Sequence, residues 1–161
     1  MTKRHKTVSS LQAQLKSDIY EAITGKITEI CTEIVQDNVR DMGYIQKSEL
    51  TYDRTWELLN SVTVGNLYVG TKQIKFEVFM DTDKIGSYVK DGDDWNQHAS
   101  VDPMDVSEYI PLWVEEGTEG SLYDREGAHY MENSHLQLDG GLLARELAKR
   151  LKQNGWKVIT T

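Results

Sequence analysis

Much can be inferred from what this sequence lacks. A single cysteine, Cys31, excludes an internal disulfide bond. Because Cys31 falls within a helical apolar stripe, we expect a buried thiol rather than a reactive one. No run approaches the ~18 consecutive apolar residues of a membrane span, and no N-terminal apolar segment of the signal-peptide kind is present. We therefore expect a protein that is made and folded in the cytoplasm, with no membrane partner.

Basic residues are also scarce. The 18 Lys and Arg residues against 26 Asp and Glu residues leave a formal net charge of −8. Proteins that hold DNA electrostatically are usually basic, so no stable DNA-binding face is expected. The local basic excess that we identify is Lys3, Arg4 and Lys6, which we interpret as part of a flexible arm over residues 1–8. The length of 161 residues predicts one domain, 1–161.

Motifs of catalysis and metal binding are missing too. There is no G-x-S-x-G elbow, no phosphate-cradling glycine pattern and no CxxC pair. His98, His129 and His135 do not have a metal-ligand spacing. The acidic stretch 91–102 lacks the oxygen ligand, the glycine and the glutamate that a calcium loop needs at its fifth, sixth and twelfth positions. We expect no catalytic residue, no cofactor and no metal.

Apolar residues recur at steps of three and four from Leu11 to Val35, which predicts a long amphipathic helix over residues 10–42. Ser9 or Ser10 could cap its start and Gly43 its end. Such a helix would be about 50 Å long, whereas a domain of this size has a radius of gyration of about 15 Å. The helix must bend near Gly25 or project, and a projecting apolar stripe needs a partner.

The rest of the pattern predicts an α+β fold. A short helix after Thr55 should precede strands within 62–69 and 74–80, paired as an antiparallel hairpin with a possible bulge at Gly65-Asn66. Residues 128–138 and 142–151 predict two C-terminal helices, packed on one face of the sheet. Asp139 is expected to cap the second of them, Gly155 to end it, and residues 156–159 to form a final strand.

A long acidic stretch separates the hairpin from the C-terminal half. Residues 81–106 show little periodicity and are too long for an ordinary connector. We interpret them as a loop excursion that contacts a neighbouring protein, with a solvated loop as the alternative. Deleting residues 84–96 should then leave the domain folded.

Two short motifs stand on either side of this stretch. The first, YDRTWELLNSV over residues 52–62, follows the pattern Tyr-x-Arg-Thr-Gly-x-Leu-x-x-Ser-hydrophobic, with Trp56 in place of the glycine. The second, YIPLWVEEGTEG over 109–120, resembles Tyr-Ala-x-x-Val-Glu-x-Gly-Thr, with Ile110 in place of the alanine and one additional residue before Val114. The residues that fit are Tyr52, Arg54, Thr55, Leu58 and Ser61 in the first motif, and Tyr109, Val114, Glu115, Gly117 and Thr118 in the second.

In this order the two motifs resemble those of small tailed-bacteriophage proteins known as minor tail, head–tail joining, neck or tail-completion proteins. The resemblance covers residues 52 to about 134, and the acidic stretch is longer than is usual there. It implies a non-enzymatic virion protein of the neck, in a homo-oligomeric ring of about six copies, that contacts other neck and tail proteins and is assembled in the host cytoplasm. The genome would pass through the ring without stable binding. A head-completion protein on the capsid side is the alternative, and a small metal-binding or enzymatic module is a further one.

The adjacent carboxylates of the second motif, Glu115 and Glu116, do not suit general acid–base catalysis. Neighbouring residues point to opposite faces of a strand, or sit about 100° apart on a helix. We expect the apolar run before them to pack inward and Gly117 to form a turn that a side chain would hinder. Glu115 should either cap a backbone turn or pair with Arg54, and a solvent-exposed glutamate is the alternative.

Overall fold

The α+β fold predicted from the sequence is confirmed by a computed structural model, which describes residues 7–45, 56–70, 73–85, 103–118 and 125–159. A long N-terminal helix is followed by an antiparallel hairpin and by C-terminal helices. The elements, in chain order, are α1 (Val8–Ala22), a π-helical turn (Ile23–Ile27), α2 (Thr28–Asn38), a second π-helical turn (Val39–Ile45), α3 (Glu57–Ser61), β1 (Val62–Val69), β2 (Ile74–Met80), a 3₁₀ turn (Thr82–Lys84), α4 (Pro103–Glu116), β3 (Gly117–Thr118), β4 (Arg125–Glu126), α5 (Tyr130–Asp139) and α6 (Leu142–Gln153).

The long first helix begins two residues earlier than predicted. Thr7, rather than Ser9 or Ser10, is the N-cap, and its hydroxyl accepts a hydrogen bond from the Ser10 backbone N–H at 3.2 Å. Ser10 returns the contact, since its hydroxyl accepts from the Thr7 N–H at 3.3 Å. This reciprocal capping box makes Ser10 the third helical residue rather than the cap. It also places Thr7 and Val8 in the helix start, not in the predicted arm, whose residues 1–6 lie outside the described ranges.

The predicted weak point of this helix, Gly25, lies within the first π-helical turn. The Thr28 backbone N–H reaches Ile23 O and Gly25 O there, instead of the carbonyl four residues back. The Thr28 hydroxyl donates to Thr24 O at 3.1 Å and to Gly25 O at 2.9 Å, so Thr24 O, which the Thr28 N–H does not reach, gains a donor. The helix continues past the predicted end at Gly43 as a second π-helical turn, up to Ile45.

The hairpin forms as predicted, including its irregularity. β1 and β2 pair antiparallel from Val62↔Met80 to Val69↔Ile74, with a register shift between Gly65 and Tyr68. Asn66, inside that shift, has a left-handed φ of 51°, which is typical of a bulge. Half-buried and exposed residues alternate along β2.

The core forms where the second half of the long helix meets the hairpin and α4. α2 contacts both β1 and β2. The buried residues of this cluster are Val35, Val39, Leu58, Val62, Ile85, Val114, Ala128 and Tyr130.

The two C-terminal helices pack along the long helix, α5 on α2 and α6 on α1 and the first π-helical turn. A buried polar contact fixes the first pair, because Asn38 Nδ2 donates to Ser134 Oγ at 3.0 Å.

Cys31 is buried as predicted, and this burial raises the pKa of its thiol.

Two predictions for this region are wrong. Asp139 is the last residue of α5, while Gly141, with a φ of 75°, precedes α6. Gly155 does end α6, at a φ of 89°, but residues 156–159 form no strand. The chain reverses at Gly155 instead, as the Trp156 N–H bonds to Leu151 O at 3.0 Å.

Most of the predicted acidic loop lies outside the described residues. Its first residues form the 3₁₀ turn, and Ile85 is buried in the core. The deletion of residues 84–96 would remove this core residue, so it is not expected to leave the domain as stable as predicted. Its last four residues, 103–106, belong to helix α4, which begins at Pro103. Proline suits a first helical position because its missing N–H would have no partner there.

Candidate interaction surfaces

The second motif forms the end of helix α4 and the turn that follows it. Because the apolar run is helical, its side chains point in several directions and only some pack inward. Val114 is buried and Ile110 packs against the core, but Tyr109 and Leu112 are 46% and 48% exposed. The expectation that the whole run packs inward is therefore wrong. Tyr109 stacks on Trp113, with the ring centroids 5.7 Å apart.

Glu115 caps helix α5, which confirms the capping alternative. Its carboxylate accepts hydrogen bonds from the backbone N–H groups of Met131 at 2.9 Å and Glu132 at 3.2 Å. These are first-turn donors that have no partner within the helix, and the helix dipole favours a negative charge there. Arg54, the other proposed partner, lies outside the described residues.

The capping is reciprocal between the two helices. The backbone N–H groups of Ala128 and His129 donate to the carbonyls of Val114 at 2.8 Å and Glu115 at 3.0 Å, at the end of α4. The Tyr130 hydroxyl adds a bond to Pro111 O at 3.0 Å. The end of one helix and the start of the next thus hold each other in place.

Glycines permit this close approach. Gly117 has a φ of 90°, which confirms that a side chain would hinder the turn there. Gly117 and Thr118 then pair with Glu126 and Arg125 as the β3–β4 ladder. Gly127 lies directly against the end of α4, where an added Cβ would come within 2.5 Å of the Glu115 carbonyl oxygen.

The two adjacent carboxylates should therefore differ in their effect on stability. We expect Glu115→Ala to lower the free energy of unfolding by about 1–2 kcal/mol, because two helix N–H groups lose their acceptor. Glu116→Ala is the matched control: this neighbour is exposed and should change stability by less than about 0.5 kcal/mol. Urea unfolding of both variants at pH 7 makes the comparison, and equal effects would contradict the capping role.

The structure describes the first motif from position 56 onward. Its residues Tyr52, Arg54 and Thr55 therefore lie outside the described residues. Leu58 is buried in the core cluster together with Val114 of the second motif. The fully buried Ser61 ends α3, where its hydroxyl donates to Leu58 O at 2.8 Å. The Ser61 carbonyl in turn accepts from the Asp81 N–H at 2.8 Å, which ties α3 to the end of β2.

Trp56 adopts a left-handed backbone conformation, with φ 60° and ψ 10°. Such a conformation strains a bulky residue but not glycine. This is the position at which the resembling family has glycine. Trp56 thus has a backbone conformation that glycine would adopt without strain.

Exposed apolar side chains concentrate at the far end of the hairpin. Leu67, Tyr68 and Val69 follow one another on β1, and all are exposed. Because neighbouring residues of a strand face opposite sides, both faces of the hairpin are uncovered there. Together with Tyr109 and Leu112 on α4, these residues are candidates for contact with another protein.

A buried carboxylate joins the two ends of the described chain. Asp18 of α1 is 3% exposed, and it accepts hydrogen bonds from Trp156 Nε1 at 2.6 Å and Gln14 Nε2 at 2.8 Å. The contact holds the segment after α6 against α1. Nothing in the sequence predicts this contact, because the sequence pattern places Asp18 among polar residues beside the apolar stripe.

Helix α6 also carries a basic face that was not predicted from the sequence. Arg145, Lys149 and Lys152 of α6 are exposed and line an open hollow of about 520 Å³. The signal was available, because a spacing of three and four places these residues on one side of a helix. We call these three residues the basic face.

The described residues contain no group of three or more His, Cys, Asp or Glu that could hold a metal ion. His129 and His135 each lie near a carboxylate of their own helix, Glu132 at 3.7 Å and Asp139 at 3.4 Å. Among the described helices, none is long and apolar enough to cross a membrane. Comparison with protein-family models, curated proteins and solved structures finds no match to this chain.

Proposed function

We propose that this chain is a non-enzymatic structural protein of a tailed-bacteriophage neck. In this role it is a ring component that completes or terminates the tail and joins it to the head. The proposal rests on the two motifs, with a helix before them, a hairpin between them and helices after them.

The left-handed backbone at Trp56 carries the proposal furthest. A match in residue identity is weak at the positions where the residues differ. At position 56 of the first motif, a tryptophan stands in place of the expected glycine. The φ of 60° supplies a physical reason for glycine at that position. Gly117, the glycine of the second motif, also has a positive φ. In each motif, the position of the motif glycine thus has a backbone conformation that favours glycine.

The local roles of the motif residues fit a structural protein. Leu58 and Val114 build one core cluster, Ser61 ends a helix and Glu115 caps another. The exposed residues Tyr68 and Leu112 supply apolar surface that a ring neighbour would cover. In such a ring the genome passes through a lumen that is neutral or acidic and does not hold it.

The mass of the protein tests this proposal. We expect purified protein to form a ring of about six chains of 18.4 kDa, about 110 kDa by light scattering, and to occur in intact virions at the same copy number. A phage lacking the gene should accumulate separate heads and tails. A monomer that is absent from virions would overturn the proposal.

Two further experiments separate the alternatives. Copurification with tails that lack heads favours the tail side of the neck, whereas copurification with filled heads favours a head-completion protein. Elemental analysis addresses the metal-binding or enzymatic alternative, because one tightly bound zinc or calcium per chain would replace the structural role.

A further inference from the structure

The basic face is locally opposite in charge to the protein as a whole. Residues 142–157 contain five basic residues and one acidic residue, Glu146, for a local net charge of +4 in a chain of −8. Glu146 pairs with Lys149 at 3.2 Å. Arg145 and Lys152 form no ion pair with any described residue. These two exposed cations therefore have no carboxylate partner among the described residues.

One of these five basic residues, Arg150, lies on the adjacent side of α6. Lys26 Nζ is hydrogen-bonded to the Glu29 carboxylate at 2.8 Å, which raises the pKa of Lys26, while the nearby guanidinium of Arg150 opposes that rise. Helix α6 packs on the first π-helical turn, which contains Lys26.

The opposite charge is concentrated in the acidic segment, residues 81–106. It contains seven Asp and two Lys residues, a local net charge of −5. The segment starts at the far end of the core, because Ile85 is buried in the cluster that contains Val35 and Val39. From Lys26 to Val39 the helix rises about 20 Å. The described start of the segment, up to Ile85, thus lies at a different point along the long helix from Lys26.

We propose that the basic face of α6 docks the acidic segment of a second copy of this chain, head to tail. Complementary patches at two separate places on one molecule make a heterologous contact, which closes into a ring when the rotation between copies allows it. The opposed local charges, +4 for residues 142–157 and −5 for residues 81–106, supply attraction and orientation. This deepens the proposed ring, but the docking itself does not require that the protein belong to a phage.

Charge exchange between copies tests the docking. The face variant is Arg145→Glu with Lys152→Glu, and the segment variant is Asp91→Lys with Asp93→Lys and Asp94→Lys. We expect each variant alone to weaken self-association at least about tenfold in 0.1 M NaCl, measured by sedimentation. Mixed in equal amounts they should associate again, because each variant then supplies the patch that the other one lacks.

Lys16→Glu with Lys75→Glu is the matched control, since these two exposed lysines form no ion pair with a described residue and the change also takes the net charge from −8 to −12. It should associate like the unchanged protein, and thermal unfolding should show all variants folded.

Unchanged association of the face variant overturns the docking. A mixture of the two variants that fails to associate also overturns it, and this is the result expected if the segment meets α6 within one chain. Loss of binding to a 20-base-pair DNA duplex, with association intact, would assign the face to nucleic acid instead. None of these results decides the neck function, which virion incorporation tests separately.

Discussion

Substituting Gly127 by alanine is expected to lower the free energy of unfolding by about 3 kcal/mol. The new Cβ would lie 2.5 Å from the Glu115 carbonyl oxygen, 2.7 Å from the Glu116 carbonyl carbon and 2.8 Å from its oxygen. All three are backbone atoms at the end of helix α4, so no side-chain rotation can relieve the contact. The segment 127–129 must move away, and the hydrogen bonds from Ala128 and His129 to α4 are then lost.

Gly25→Ala provides a control of the opposite sign. An added Cβ at Gly25 meets nothing within 4 Å, and its φ is not positive. Alanine is favoured over glycine in a helix by up to about 1 kcal/mol, so this variant should be as stable as the unchanged protein or more so. Urea unfolding of both variants gives the difference, and equal midpoints would mean that the segment is not held against α4.

The elements that the sequence predicts well are those with strong periodicity. The apolar steps from Leu11 to Val35 and the alternation from Ile74 to Met80 each place side chains on one face, and burial of that face then selects the element. The bulge was also foreseeable, because Gly65-Asn66 interrupts the strand pattern. These are local signals that do not depend on distant residues.

Contacts between distant residues escaped prediction. The final segment 156–159 has strand composition, but it forms no strand, since Trp156 bonds to a carboxylate 138 positions earlier in the chain. The cap at α5 is likewise supplied by Glu115, 16 residues before its partner Met131. No rule of sequence spacing predicts either the Trp156–Asp18 hydrogen bond or the Glu115 cap. The basic face does follow a spacing rule, the helical steps of three and four, but the acidic composition of the whole chain masks this local signal.

The second large effect is expected at Asp18. Asp18→Ala should lower the free energy of unfolding by about 3 kcal/mol, because the Trp156 indole N–H and the Gln14 amide lose their acceptor in a buried place. The left-handed Gly155 turns the chain so that Trp156 reaches α1. Without the Asp18 carboxylate, no hydrogen bond from the Trp156 indole to Asp18 holds this segment against α1. Chemical denaturation followed by circular dichroism measures the loss.

A double-mutant cycle separates the indole contact from the other effects of removing a buried carboxylate. Trp156→Phe removes the donor while keeping an aromatic ring, and the coupling with Asp18→Ala should be about 1.5 kcal/mol. Asp37→Ala is the control on the same long helix, since Asp37 is exposed and pairs only at the surface, with Arg40 at 2.8 Å. Its removal should change stability by less than about 0.5 kcal/mol. A coupling near zero would show that the carboxylate and the indole stabilise the fold independently.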